Sequence, residues 1–519
     1  MSADSVTGGV HPAGQIGQPD PRRWFVLGVI GLAQLMIVLD LTIMNIALPS
    51  AQRALHFSNA DRQWVITAYA LAFGSLLLFG GRLGDLFGRK VTFLTGLIGF
   101  ALASAVGGAS VNFTMLITAR ACQGLFAALL APAALGVLTT TFSEARERGR
   151  AFGVYGAIAG GGGLVGLLLG GLLTEYLNWR WCLYVNLIFA ALAAAGAVAF
   201  LTAGRPSGPR ARLDVPGVLL VSGSMFCLVY GFANAATHNW HTSSTWGFLT
   251  AGVVLLAAFA AWQTRARNPL LPPRLVLDRN RGGAYLAVLV IGAAMFGIFL
   301  FLTYYLQTIL GYSPVITGVA FLPTIAMVML FAQISNIVLM PRIGPKPLVG
   351  FGMLIAAAGM AWLTRIGVHS SYGSAILGPL LVTGCGIGLS MPPSMNTGTF
   401  GVAGADAGVA SATLNVGQQL GGSIGTALLN SIATSAAAAY VTGHLTAAIA
   451  ASPSSRSALK AGAAVHGYTT AFWWTAGIFA AGAIVCGSLL RRGPLARQAG
   501  AAQAIPAPQR EPGPSTIRS

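Results

Sequence analysis

A chain of 519 residues that is 55% hydrophobic and only 8% charged is not a soluble globular protein, because about a quarter of the residues in such a protein carry charge. The net charge of +18 does not mark a nucleic-acid binder, since the basic residues fall between apolar runs, as membrane anchors do. An ATP-driven pump is excluded too: no GxxxxGK[ST] motif occurs, and no soluble stretch is long enough to carry one.

The first 21 residues are polar and rich in Gly and Pro, without the n-region, apolar core and cleavage site of a signal peptide. The first membrane helix is therefore expected to direct insertion. A span needs about 20 apolar residues. Windows of that kind, cut at charged or Pro/Gly-rich joints, predict fourteen: 24–48, 61–81, 91–110, 114–139, 151–173, 181–203, 214–233, 245–264, 282–306, 315–340, 348–366, 374–398, 407–433 and 468–490.

With the N-terminus in the cytoplasm, 23 of the 30 basic residues fall on that side, and only Arg120 lies inside a span. The positive-inside rule then places both termini in the cytoplasm. The expected organisation is a tail (1–23), a six-helix bundle (24–203), an inserted two-helix linker (204–281) and a second six-helix bundle (282–490). The second bundle carries a long external loop at 434–467, Ala/Ser-rich with one Pro453 and able to form a short interfacial hairpin or helix, and a disordered cytoplasmic tail (491–519) follows. Gly88-Arg89-Lys90 after the second span is echoed by Gly344-Pro345-Lys346 after the tenth, as parallel transporter repeats would be.

An ionisable group inside a span is costly and marks a functional site by default. Of the acids, only Asp40 sits at membrane depth; the rest fall in tails, in joints or at span ends. The seven histidines lie in the N-terminal tail or the external joints, so none can relay protons across the core. At 1.5 Å per residue, Asp40 lies roughly 12 Å from its external end, with Arg120 at roughly 9 Å and Gln123 at roughly 13 Å on the fourth span. The one buried acid and the one buried base therefore share a level, and pairing is expected. We expect Asp40 to take up an external proton, with Arg120, moving between states, switching its affinity for that proton. A static ion pair joining the two helices is the alternative.

Thr42, Asn45 and Pro49 share a face distinct from that of Asp40. Asn45 is expected to bond across helices, and Pro49 to end the first one. Cys122, Cys182, Cys227, Cys385 and Cys486 lie in apolar segments without metal-ligand spacing; they read as packing residues, and no metal or cofactor is expected.

Four stretches together resemble the major facilitator superfamily, in particular its fourteen-helix drug:proton antiporter branch, the EmrB/QacA-like multidrug exporters. Leu39-Asp40-Leu41-Thr42-Ile43-Met44-Asn45-Ile46-Ala47-Leu48-Pro49 is similar to that branch's first-helix signature. Gly81-Arg82-Leu83-Gly84-Asp85-Leu86-Phe87-Gly88-Arg89-Lys90 resembles the loop motif between helices two and three, and Arg120-Ala121-Cys122-Gln123-Gly124 the fourth-helix motif. Gly166-Leu167-Leu168-Leu169-Gly170-Gly171 resembles the antiporter motif of the fifth helix. Further matches are Trp179-Arg180-Trp181 with Asn186, Gly311-Tyr312-Ser313-Pro314, and Asn415 with Gln418-Gln419-Leu420-Gly421-Gly422. Leu86 departs from the loop motif's base. Leu167 departs from the antiporter motif's proline, which implies a straighter fifth helix and leaves uniport open beside antiport.

The resemblance implies an all-α polytopic membrane protein with the major facilitator fold, two six-helix bundles plus two inserted helices. It implies a gating role for Gly81, Arg82, Gly84, Asp85, Gly88, Arg89 and Lys90, whose mixed charges can latch one state. Gly162, Gly166, Gly170 and Gly171 have the small-residue spacing that lets helices approach closely in lipid. Thr42, Asn45, Trp64, Tyr69, Gln123, Tyr304, Asn415 and Gln419 are candidates for the substrate cavity. With one buried acid, a fixed site for dications is not expected.

The expected protein is a monomeric exporter in a bacterial plasma membrane, moving small hydrophobic or amphipathic compounds against proton entry, in contact with membrane lipids and not with nucleic acid. Export of a lipid, siderophore or self-made antibiotic by the same fold is the near alternative. A membrane-embedded enzyme is the distant one, since the acids and histidines form no acid–base cluster.

Overall fold

Hydrocarbon offers backbone N–H and C=O groups no water, so a chain this apolar satisfies them within helices. A computed structural model describes residues 23–494, apart from 60, 143–144, 202–213, 239, 268, 403–406 and 445–452. The joint at 204–213 and most of both tails lie outside the described residues. The first half comprises α1 (Arg23–Leu55), α2 (Trp64–Phe87), α3 (Arg89–Gly108), α4 (Phe113–Thr141), α5 (Ala145–Tyr176) and α6 (Trp181–Phe200). Then come α7 (Val215–His238) and α8 (Ser243–Arg265). The second half comprises α9 (Arg279–Ile309), α10 (Pro314–Ile343), α11 (Pro345–Leu363) and α12 (Tyr372–Thr399), with α13 (Ala407–Gly443) and α14 (Pro453–Leu489).

Twelve helices are long and apolar enough to cross a membrane among the described residues. α2 adds a shorter apolar stretch, Trp64–Leu77; α5, rich in glycine, is the remaining long helix.

α1 packs on α4, α5 and α6; α2 and α3 pack on α4; α3 also packs on α6. Advancing every label by eight gives the second half: α9 on α12, α13 and α14, α10 and α11 on α12, and α11 on α14. The two halves are thus parallel repeats. They meet where α2 touches α13 and where α5 touches α10. α7 and α8 form a hairpin whose α7 lies against both α2 and α13.

Three boundaries differ from expectation. α1 does not stop at Pro49 but continues to Leu55 with the proline inside it. Bonds made beyond the proline offset the lost ladder bond: Gln52 Nε2 donates to Phe57 O at 3.1 Å and to Asn59 Oδ1 at 2.9 Å, and its Oε1 accepts from Tyr304 Oη of α9 at 2.5 Å. The 434–467 segment is not one long loop, because α13 runs on to Gly443 and α14 begins at Pro453. Alanine, the best helix former, fills 436–439, and Tyr440 stacks on His444 and packs against His466 of α14, with centroids 4.3 and 5.3 Å apart.

The loop motif is mostly helix. α2 runs to Phe87, and the turn is Gly88 alone, at φ +91° and ψ 140°. The second half repeats it with Gly344 at φ +79° and ψ 178° between α10 and α11. Side chains are excluded from that backbone region, so glycine is required at both joints.

Candidate transport site and the closed end

Helix α4 places Arg120 and Gln123 on one face, three residues apart. Gly124 lets α2 come close, since a Cβ there would collide with the Tyr69 carbonyl. The Arg120 side chain consequently crosses to α2, where its Nε donates to Val65 O at 2.9 Å and its guanidinium lies 4.7 Å from the Tyr69 ring centroid. Its Nη1 donates to Asp40 Oδ2 of α1 at 2.5 Å and to Gln123 Oε1 at 2.9 Å.

The other carboxylate oxygen is also engaged. Asp40 Oδ1 accepts from Gln123 Nε2 at 3.0 Å and from Asn186 Nδ2 of α6 at 2.7 Å. Gln123 Nε2 donates in addition to Ser104 Oγ of α3 at 2.7 Å. Asp40 is 1% exposed, and Arg120, Gln123, Asn186 and Ser104 are 0% exposed. Five helices of one half therefore supply a neutral, desolvated charge pair with both carboxylate oxygens hydrogen-bonded. Removing one partner of such a pair costs about 3–5 kcal/mol, because the other is left charged and buried. Adding one proton to Asp40 has the same electrostatic effect without any mutation.

A second group of contacts ties the halves together, all at the end that carries the α1–α2 joint. Arg62 is 3% exposed. Its Nε donates to Asn430 Oδ1 of α13 at 3.1 Å, and its guanidinium lies 4.2 Å from the Tyr304 centroid, 5.6 Å from Phe301 and 5.7 Å from Tyr468. Tyr304 Oη donates to Gln52 Oε1 at 2.5 Å. Gln307 Nε2 donates to Ile46 O at 3.0 Å from a π turn, Tyr305–Ile309, a device frequent at functional sites. Val315 N of α10 donates to Glu175 Oε2 of α5 at 2.9 Å. At the opposite end, polar contacts tie helices within one half: Arg23 to Glu147 at 2.6 Å, and Asn396 Nδ2 to Asn336 Oδ1 at 2.6 Å.

The candidate cavity residues are not gathered in one place. Gln123 and Tyr69 belong to the charge network, and Tyr304 to the closed end. Trp64 packs on Tyr230 of α7, with centroids 5.9 Å apart. Thr42 Oγ1 bonds back to Val38 O at 2.9 Å beside Gly166. Among the described residues Asn45 makes no bond across helices; its Nδ2 donates to Leu41 O of its own helix at 3.0 Å, the local back-bond open to an asparagine inside a helix. Asn415 Nδ2 likewise donates to Ser411 O at 3.0 Å, while Gln419 is buried beside Gly74.

Of the loop motif, the side chains of Arg82 and Asp85 lie outside the described residues. Arg89 Nη1 donates to Gly136 O of α4 at 2.6 Å, and Lys90 Nζ to Leu201 O past α6 at 2.5 Å. A Cβ at Gly81 would lie 3.6 Å from Pro132 Cβ, whereas one at Gly84 would meet nothing within 4 Å. Among the fifth-helix glycines, Gly162, Gly166 and Gly170 face α1, and Gly171 faces Pro314 and Val315 of α10.

Arg62, Gln52, Asn430 and Ser104 were not distinguished by sequence. Asn186 carried a usable signal, an amide about one and a half turns inside an apolar span.

Two like halves of apolar helices, one holding a buried charge network and both tied together at one end, are the architecture of a polytopic membrane protein, and its family is one of transporters. The chain belongs to the Major Facilitator Superfamily, whose family model matches residues 30–426. It is 49% identical over 492 residues to the puromycin resistance protein pur8 of Streptomyces alboniger, covering 94% of this chain and 96% of that protein. It is 39% identical to the cephamycin export protein CmcT of Amycolatopsis lactamdurans, covering 76% and 82%. Identity to the tetracenomycin C resistance and export protein of Streptomyces glaucescens is 37%, covering 79% and 75%. In fold the chain is similar to a bacterial homolog of the human lysosomal transporter Spinster in an inward-facing, unoccupied conformation. That match has a TM-score of 0.60 at 17% identity and covers 91% of this chain and 98% of the other.

Proposed function

We propose that the chain exports small hydrophobic or amphipathic compounds, antibiotics made by the producing cell among them, in exchange for protons. The observation that carries this is the Asp40–Arg120 pair, desolvated and fully hydrogen-bonded inside one half. The names of the relatives, which speak of puromycin resistance and of cephamycin and tetracenomycin C export, support antibiotics as cargo. They favour that cargo over a lipid or a siderophore.

In this reading the termini are cytoplasmic, the sealed end is external, and the conformation faces the cytoplasm. The chain belongs to the fourteen-helix drug:proton antiporter branch and works as a monomer. Substrate enters between the halves from inside. The halves then rock about the α2–α13 and α5–α10 contacts, and Asp40 receives a proton from outside. Protonation removes the carboxylate's attraction for Arg120, which keeps its bond to Val65 O and becomes available for a different arrangement. Release of the proton to the cytoplasm restores the pair. Because Arg120 neutralises Asp40, the site offers no spare negative charge, and neutral or weakly cationic amphiphiles fit it. Leu167 leaves α5 one helix from Ala145 to Tyr176, so exchange here does not depend on a proline kink.

The test is efflux of a compound panel, puromycin included, from a pump-deficient bacterial host with and without a protonophore. Efflux that the protonophore abolishes is expected. Efflux that survives collapse of the proton gradient refutes proton coupling, and no efflux of any compound refutes the exporter assignment.

A further inference from the structure

The α2–α13 contact joins the two halves, and two pairs of residues fix its register. Arg62, just before α2, bonds to Asn430, and a Cβ on Gly74 would lie 3.4 Å from Gln419 Cβ. The two helices therefore run antiparallel, which puts Thr67 level with Thr426. At about 100° per residue, Gln63, Thr67 and Gly74 fall within about 40° of arc on α2, with Gln63 already helical at its head. Gln419, Ser423, Thr426 and Asn430 fall within about 60° on α13. Each helix thus turns a polar row toward the other half.

Much of that polarity is buried without a partner. Gln63, Thr67 and Thr426 are 0% exposed. Among the described residues, both side-chain polar atoms of Gln63, Thr67 Oγ1, Thr426 Oγ1 and Gln419 Oε1 have no hydrogen-bond partner. Ser423, on the same row, is different: its Oγ donates back to Gln419 O at 3.0 Å. A buried polar group without a partner has lost its water with no compensation. The α5–α10 contact is built otherwise. A Cβ on Gly171 would lie 2.8 Å from Val315 Cα, and one on Gly318 2.7 Å from Leu167 O, so backbone meets backbone there.

We propose that this unsatisfied seam is a conformational device that keeps the closed end poised to open. Closing presses Gln63, Thr67, Gln419 and Thr426 into a dry contact that leaves them unbonded. Parting α2 from α13 admits water, which satisfies all of them. The Arg62 contacts draw the end shut while the orphaned groups oppose them, so the closed and open states lie close in free energy. A ligand shifts such a balance by no more than its differential affinity for the two states, and a near balance is what one proton can tip. The inference rests on the proposed rocking of the halves and adds to it the residues that set the balance point.

The test uses the full chain in lipid nanodiscs with a pair of spin labels across the closed end, reading the populations of short and long distances at acidic and at neutral pH. Both distances are expected in the unmodified protein. Thr67→Val and Thr426→Val keep the volume and remove an orphaned hydroxyl. Each should lower the open-to-closed ratio roughly fivefold or more and raise the thermal midpoint. Thr67→Ser, which keeps the hydroxyl, should match the unmodified protein. Ser423→Ala removes a bonded hydroxyl from the same row and should leave the ratio within about twofold. An unchanged or raised ratio in the Thr67→Val/Thr426→Val double variant overturns the proposal. So does a shift with Ser423→Ala as large as that with Thr426→Val. A single distance at both pH values in the unmodified protein refutes the rocking itself and this inference with it, whereas two distances whose populations ignore the valines refute this inference alone.

Discussion

Replacing Asp40 by asparagine separates charge from shape at the centre of the first half. The asparagine fills the same volume but offers one acceptor oxygen where the carboxylate offers two. Its amide hydrogens would face Gln123 Nε2 and Asn186 Nδ2, both donors. Arg120, 0% exposed, would be left as a buried cation among neutral acceptors only, the Val65 and Gln123 oxygens and the new amide oxygen. The expected cost is about 3–5 kcal/mol, read as a fall of several degrees in the thermal unfolding midpoint of the purified protein. Adding Arg120→Gln removes the orphaned charge and should recover most of that loss. Transport distinguishes the two roles of the pair: in liposomes with an imposed pH gradient, neither variant should accumulate substrate. Downhill movement should return in the double variant. Gradient-driven accumulation by the Asp40→Asn protein would refute proton coupling at this residue, and no thermal recovery in the double variant would refute the electrostatic account.

Arg62→Ala should loosen the closed end by about 2–4 kcal/mol, the sum of a hydrogen bond to a charged donor and the cation–π contacts; spin-label distances across that end should lengthen. Gly170→Ala should destabilise by about 1–3 kcal/mol, since its Cβ would meet Ile43 Cα and O at 3.0 Å. Gly161→Ala on the same helix, with nothing within 4 Å of the new atom, should be neutral or slightly stabilising; thermal midpoints in detergent compare the two. Gly88→Ala should cost about 1–3 kcal/mol for its backbone conformation alone, lowering the yield of folded protein at elevated growth temperature.

Most helices were legible because apolar length is a local property, and Asp40 and Arg120 emerged by elimination and depth, which need no tertiary information. What escaped depended on partners distant in sequence. Arg62 counts as an external anchor by position; its burial comes from Phe301 and Tyr304 of α9 and Tyr468 of α14. Pro49 carries a local stop signal, yet Gln52 and Tyr304 hold the helix together beyond it. The Ala/Ser run after Thr434 has too little bulk to look like a span and enough alanine to be helical, and its pairing through Tyr440 and His466 settles which tendency wins. Trp64 is amphipathic and sits near a span end, so only the position of α7 decides that it faces the hairpin.

The hairpin of α7 and α8 rests on both halves, but not in the same way. Toward α2 it is fastened, by Ser222 Oγ donating to Ser75 O at 3.2 Å and by the Trp64–Tyr230 ring contact. Toward α13 it presents a greased surface, aliphatic side chains against Leu420, Val416 and Ile424. The hairpin therefore bridges the seam between the halves, polar and aromatic contacts on one side of it and aliphatic packing on the other. A rigid pair of helices laid across a seam has to give way on its slippery side whenever the two sides of that seam shift.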